Sequence, residues 1–180
     1  MGRKQADRGY VIREAREEDL PEMVQFLAKL ALHVSGGPPH DLKESEHKRL
    51  LRTLHSSLDD PNKLLLVAES KHAGLVGMGY VYIWRSQGIW EQSGAAEFKS
   101  GVIDDIWVEP EFRGLGIFRA LLRDLVTFAE QHHASELILE YAASNKEAKA
   151  AWTKLGFKTT GVRAAAFTSV VKQALMESQG

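Results

Sequence analysis

Cysteine is absent from the sequence, and with it go disulfides, thiolate metal sites and any mechanism that parks an acyl group on a cysteine nucleophile. A reducing compartment fits, and the expected location is the cytoplasm. No apolar run approaches the ~20 residues that cross a bilayer, and the opening MGRKQADRGY has no apolar core of the kind a signal peptide needs. Neither sign of charge dominates: 23 Lys and Arg against 24 Asp and Glu leave a net charge of −1. Bulk attraction for nucleic acid is therefore missing, and the cations are scattered rather than striped along one face. A soluble chain with neither nucleic acid nor membrane as a partner is expected. No repeat or low-complexity tract interrupts the 180 residues, a length that suits one domain with a core. Residues 1–9 read as a loose tail and 10–180 as that domain.

What is present alternates between strand and helix patterns. YVIREA alternates like a strand, and REEDLPEMVQFLAKLALHV carries apolar residues at helical spacing, with Asp19 able to cap and Pro21 in the first turn. After the SGGPPHD break comes the helical KESEHKRLLRTLHSSL, closed by DDPNK. KLLLVAES and GLVGMGYVYIWR form a hairpin across a short turn, and VIDDIWV is a later strand. From Leu115 to His132 the spacing of Ile117, Leu121, Leu122, Leu125, Phe128 and Ala129 gives an apolar helix face. ELILEY reads as a strand, NKEAKAAWTKL as a helix ended by Gly156, and the remainder as one or two closing strands. The succession implies an α/β domain: a mixed, mostly antiparallel twisted sheet flanked by helices, with a β-α-β crossover at a glycine loop.

That loop is the stretch IDDIWVEPEFRGLGIFRALL. Where a strand hands over to a helix, several backbone N–H groups lack intrahelical partners and the helix dipole adds partial positive charge, so an oxyanion fits. Gly114 and Gly116 remove side chains that would keep phosphate oxygens away, and Arg113 can add charge or brace the loop. A GxGxxG site would need glycine at Arg119, and no GxxxxGK[ST] occurs, which disfavours dinucleotide and nucleoside triphosphate sites. The alternative reading is a tight connection that needs glycine for positive φ and holds no ligand.

VEPEFRGLGIFRALL, from Val108 to Leu122, resembles the acyl-CoA pyrophosphate loop of the GNAT superfamily of N-acetyltransferases. LEYAASNKEAKAAWTKLGF is similar to that family's next strand and helix, with Asn145, Ala148 and Leu155 to Phe157 in register, and YVIREAREEDLPEMVQFL to its first strand and helix. The likeness runs from about Tyr10 to Phe157. It implies acetyl-CoA as co-substrate, held by Arg113, Gly114, Leu115, Gly116, Ile117, Phe118 and Arg119 at the pyrophosphate, with Ile106, Trp107 and Val108 along the pantetheine arm and Asn145, Ala148 and Trp152 further on. It also allows a homodimer. Three departures stand out. Phe118 stands where many members have a further glycine. Glu111 takes the place of Gln or Arg in the loop pattern, and Trp152 falls where the family presents a tyrosine that protonates the departing thiolate; an indole N–H cannot do that.

The reaction so implied transfers acetyl directly to a primary amine, which must attack as a free base and so needs a proton acceptor. Asp104 and Asp105 end the central strand; alternation makes them face opposite ways, so that only one can point at the amine. Asp104 matches a catalytic glutamate of polyamine-type members, and Glu140 a glutamate used by members that acetylate protein N-termini. Each is equally readable as a solvated strand end. No metal is expected: His132 and His133 sit at a helix end without a spaced third ligand, and His33, His40, His47 and His55 are scattered. Trp84, Trp90 and Trp107 could line an acceptor pocket, although aromatics on strands are more often core. HVSGGPPHDLKESEHK and SQGIWEQSGAAEFKSG are the variable stretches expected to shape that pocket. A non-catalytic acyl-CoA sensor that keeps the loop is the alternative function.

Overall fold

The computed structural model describes residues 9–35, 42–85, 98–161 and 165–177. His40, Trp90, much of both variable stretches and residues 1–8 of the expected tail lie outside the described residues. Two compact units are present, one up to Glu140 and one from Tyr141 onward.

In the first unit, β1 (Tyr10–Glu14), β2 (Lys63–Ser70), β3 (Gly74–Arg85), β4 (Lys99–Val108) and β5 (Glu136–Leu139) lie side by side in that order. The first three pairings are antiparallel and β4–β5 is parallel. This is the expected mixed sheet. The parallel pair is joined by α3 (Ile117–Gln131), the crossover that follows the glycine loop.

Side chains alternate along each strand, so the register sorts them by face. Leu65, Val67, Met78, Tyr80 and Trp107 point to one face, where they form a core with Leu20, Met23, Val24 and Phe26 of α1 (Leu20–Ser35) and Leu54 of α2 (Glu44–Leu58). The other face receives α3. A β-carbon on Gly79 would stand 3.1 Å from Leu125 Cδ1, and one on Gly101 2.8 Å from Ala129 Cβ, so both glycines let α3 lie close to the sheet. Ile117, Leu121 and Leu125 are fully buried beneath it.

Asp19 does more than the expected cap. Its carboxylate is held by Arg13 Nη1 and Nη2 at 2.7 and 2.9 Å and accepts the Arg16 N–H at 2.7 Å, tying β1 to the turn before α1. The Arg13 guanidinium holds its carboxyl below the usual range.

The second unit contains α4 (Lys146–Lys154) and α5 (Thr168–Glu177). Asn145 caps α4 by accepting the Ala148 N–H at 2.9 Å, and Gly156 ends it at φ +94°. The expected closing strands are absent among the described residues: the chain forms α5 instead. Phe167, Val170, Val171, Ala174 and Leu175 recur at helical spacing, the signal that overrides the β-branched pair Val170–Val171.

Candidate active site

The pairing of β3 with β4 passes from Val81 opposite Ile103 to Tyr80 opposite Asp105, leaving Asp104 as the extra residue of a β-bulge. The expectation that the two aspartates face opposite ways is thereby corrected. Tyr82 lies opposite Val102, so alternation from Val102 gives Asp104 the Tyr80–Tyr82 face; direct pairing with Tyr80 gives Asp105 the same face. Glu140 follows Leu139, which is opposite Ile103, and so joins them. Three carboxylates and two phenols thus share one side of the sheet.

Electrostatics agrees with that placement. Burial pushes the Asp105 carboxyl up to about 6, with the Asp104 charge adding to it. Asp104 is raised by partial loss of water and then by Glu140. The Tyr82 phenol is raised by burial, then by Asp104, Tyr80 and Glu140. The rings of Tyr80 and Tyr82 lie 6.0 Å apart, and Tyr80 Oη is 3.5 Å from Ser57 Oγ of α2. These tyrosines were missed in the sequence, although GYVYIW places them two apart on a strand and hence on one face. Tyr82 also walls an open cavity of about 610 Å³, lined in addition by Asp60, Asn62, Lys63, Ile83, Trp84 and Arg85.

Beyond the bulge, β4 has a free edge. Its pairing with β5 covers Ser100 to Ile103, while the Glu109 N–H donates to Val76 O at 2.9 Å on the β3 side. Because successive N–H groups alternate between edges, Ile106 and Val108 turn theirs to the opposite edge, which no strand pairs among the described residues. Trp107 turns its amide toward β3 and its ring into the core. There His33 meets it edge-on at 5.9 Å, and its Nε1 donates to Glu109 Oε2 at 3.4 Å. Glu109 also pairs with Lys29 of α1.

Arg113 braces the loop, one of its two expected roles. Its Nε donates to Val108 O at 3.1 Å, and its guanidinium lies 5.0 Å from the centre of the Trp107 ring. Gly114 and Gly116 both adopt left-handed backbone, at φ +79° and +85°. Gly116 is the N-cap of α3 and has no side chain of its own to cap with, and the first helical bond runs from the Ala120 N–H to Gly116 O at 3.0 Å. A β-carbon on Gly114 would meet nothing within 4 Å. At Gly114 the loop therefore presents bare backbone with open space beside it. Leu115 and Arg119 are exposed, Phe118 is half-buried, and Ile117 belongs to the core.

In the second unit the Asn145 amide oxygen is taken by the Ala148 N–H. Trp152 is buried, its ring edge-on to Phe157 at 5.3 Å. No group of residues able to hold a metal ion occurs among the described residues, and no described helix is long and apolar enough to cross a membrane.

Residues 11–157 match the model of the acetyltransferase (GNAT) family. Among solved structures, the chain is similar to a predicted acetyltransferase with acetyl-CoA from Clostridium acetobutylicum, with 20% identity and a TM-score of 0.69 over 88% of this chain and 96% of that one. It is similar to an aminoglycoside antibiotic 6'-N-acetyltransferase from Acinetobacter baumannii, at 20% identity and a TM-score of 0.65 over 89% and 97%. A glucosamine-6-phosphate N-acetyltransferase from Arabidopsis thaliana gives 17% and 0.63 over 88% and 98%. At such identities the likeness is one of fold. No curated protein matches the chain in sequence.

Proposed function

The chain belongs to the GNAT family of acetyltransferases, and from that premise we propose that it transfers the acetyl group of acetyl-CoA directly to a primary amine, both substrates being bound together. The observation that carries this reading is the layout of β4: carboxylates at the bulge, then an edge that no strand pairs among the described residues, then a helix start shaped by two glycines.

Acetyl-CoA supplies a thioester carbonyl open to attack by a free amine. The chain binds and orients it. The N–H and C=O of Ile106 and the N–H of Val108 are free to pair with an amide-bearing arm as an added strand would. The N–H groups at the start of α3, with the positive end of its dipole, suit a pyrophosphate, and Arg119 adds charge nearby. Arg113, stacked on Trp107, keeps the loop joined to the strand end. Holding two substrates in register supplies several kcal/mol of a two-substrate barrier.

Asp104 is the proposed proton acceptor, directly or through water. Asp105 shares its face and, with a pKa of about 6, is a second acceptor near neutral pH; Glu140 is the third. Burial, and then the charge of a neighbouring carboxylate, raises the proton affinity of the two aspartates, which suits a base that must strip an ammonium. The acceptor amine enters from the Tyr80–Tyr82 side, and the cavity walled by Tyr82 and Trp84 is offered as part of its path. The cysteine-free composition supports a cytoplasmic enzyme.

The test is the pH profile of Asp104→Asn. Loss of a general base should lower kcat/KM by about 10²-fold or more while leaving CoA binding unchanged. Because Asp104 is raised above its ordinary value, the acid limb of the wild-type profile should lie above the normal aspartate range and flatten in the variant. Full activity in Asp104→Asn together with a dead Glu140→Gln would move the base to Glu140.

A further inference from the structure

Tyr10 opens β1, at the edge of the sheet farthest from β5. Two residues on, Ile12 pairs with Ala68, which pairs with Gly77 on the face covered by α3; Tyr10 therefore points beneath that helix. Its hydroxyl oxygen is buried and has no hydrogen-bond partner, the one buried side-chain polar atom in that condition among the described residues. It lies 3.6 Å from the point that a β-carbon on Gly116 would occupy. Gly114, the other left-handed glycine of the loop, has open space at the same position.

A buried hydroxyl with no partner in the surrounding protein is costly, and it keeps its hydrogen-bonding capacity for a group that comes within reach. We propose that Tyr10 is a positioning residue of the anion-binding loop, whose hydroxyl hydrogen-bonds the backbone at Gly116 when a CoA pyrophosphate draws the loop closed. The loop is then held from two sides. Arg113 ties its first residue to Val108 on β4, and Tyr10 supports its last from β1. A hydrogen bond made only when the loop closes contributes to the loaded form and not to the empty one, so the contact strengthens cofactor binding by differential stabilisation. This inference rests on the pyrophosphate role proposed for the loop.

The experiment compares wild type with Tyr10→Phe, which keeps the ring and removes only the hydroxyl. Calorimetry with CoA should show affinity reduced roughly 3- to 10-fold, the worth of one hydrogen bond. KM for acetyl-CoA should rise in parallel, with kcat at saturation hardly changed and the melting temperature of the empty protein equal or higher. With S-acetyl-pantetheine, which lacks the phosphates, the two proteins should have the same kcat/KM. Equal CoA affinity in the two proteins overturns the inference alone. A lower melting temperature with equal losses for both acetyl donors overturns it in favour of a purely structural ring. A wild type that does not bind CoA overturns the loop's pyrophosphate role, and this inference with it.

Discussion

Asp104 and Asp105 are consecutive in the chain and yet face the same side of the sheet, because the bulge opposite Tyr80 cancels one step of the strand's alternation. Two like charges and partial burial follow from that geometry, and they make the pair sensitive to pH.

Asp105 gives the clearest case. Its carboxyl is raised from 3.8 to about 6 in the fold, so the folded protein binds a proton more tightly than the unfolded chain does between those values. Stability must fall as pH rises through that window and level off above it. Asp105→Asn removes the penalty. The variant should match wild type near pH 3.8 and be more stable at pH 7, by on the order of 2 kcal/mol, in urea melts at the two pH values. An advantage that is the same at both would contradict the assignment.

Gly116→Val tests the loop. At φ +85° a branched residue is strained, by about 1–2 kcal/mol, and its methyl groups would approach the Tyr10 hydroxyl. Acetyl-CoA affinity should drop at least tenfold with the fold retained in circular dichroism. Unchanged affinity in calorimetry would restore the plain-turn reading of the two glycines.

The parts of this molecule legible in the sequence are those set by local periodicity and turn chemistry. The face of α3, the hairpin turn between Ser70 and Gly74 and the two left-handed glycines each depend on residues within a few positions of one another. The bulge at Asp104 does not. It is a property of how β4 pairs with β3, and no pattern within VIDDIWV announces it, so alternation alone put the two aspartates on opposite faces. Tyr10 shows the same limit, since its hydroxyl reaches a residue more than a hundred positions away, a relation made by the order of strands under α3. Tyr80 and Tyr82 were within reach of sequence reasoning: once the hairpin is drawn, both fall on one face. The helical spacing from Phe167 to Leu175 lies within the sequence too, and in the fold it prevails over the local strand preference of Val170 and Val171.

Transfer of the acetyl group itself tests the central claim most directly. The protein is incubated with acetyl-CoA carrying carbon-13 in the acetyl group and with a panel of small-molecule and peptide primary amines, and the mixture is read by mass spectrometry. The account predicts labelled acetyl on the nitrogen of at least one amine, with an equal amount of free CoA and no labelled protein. Acetyl-CoA that binds but leaves every amine unlabelled would contradict it.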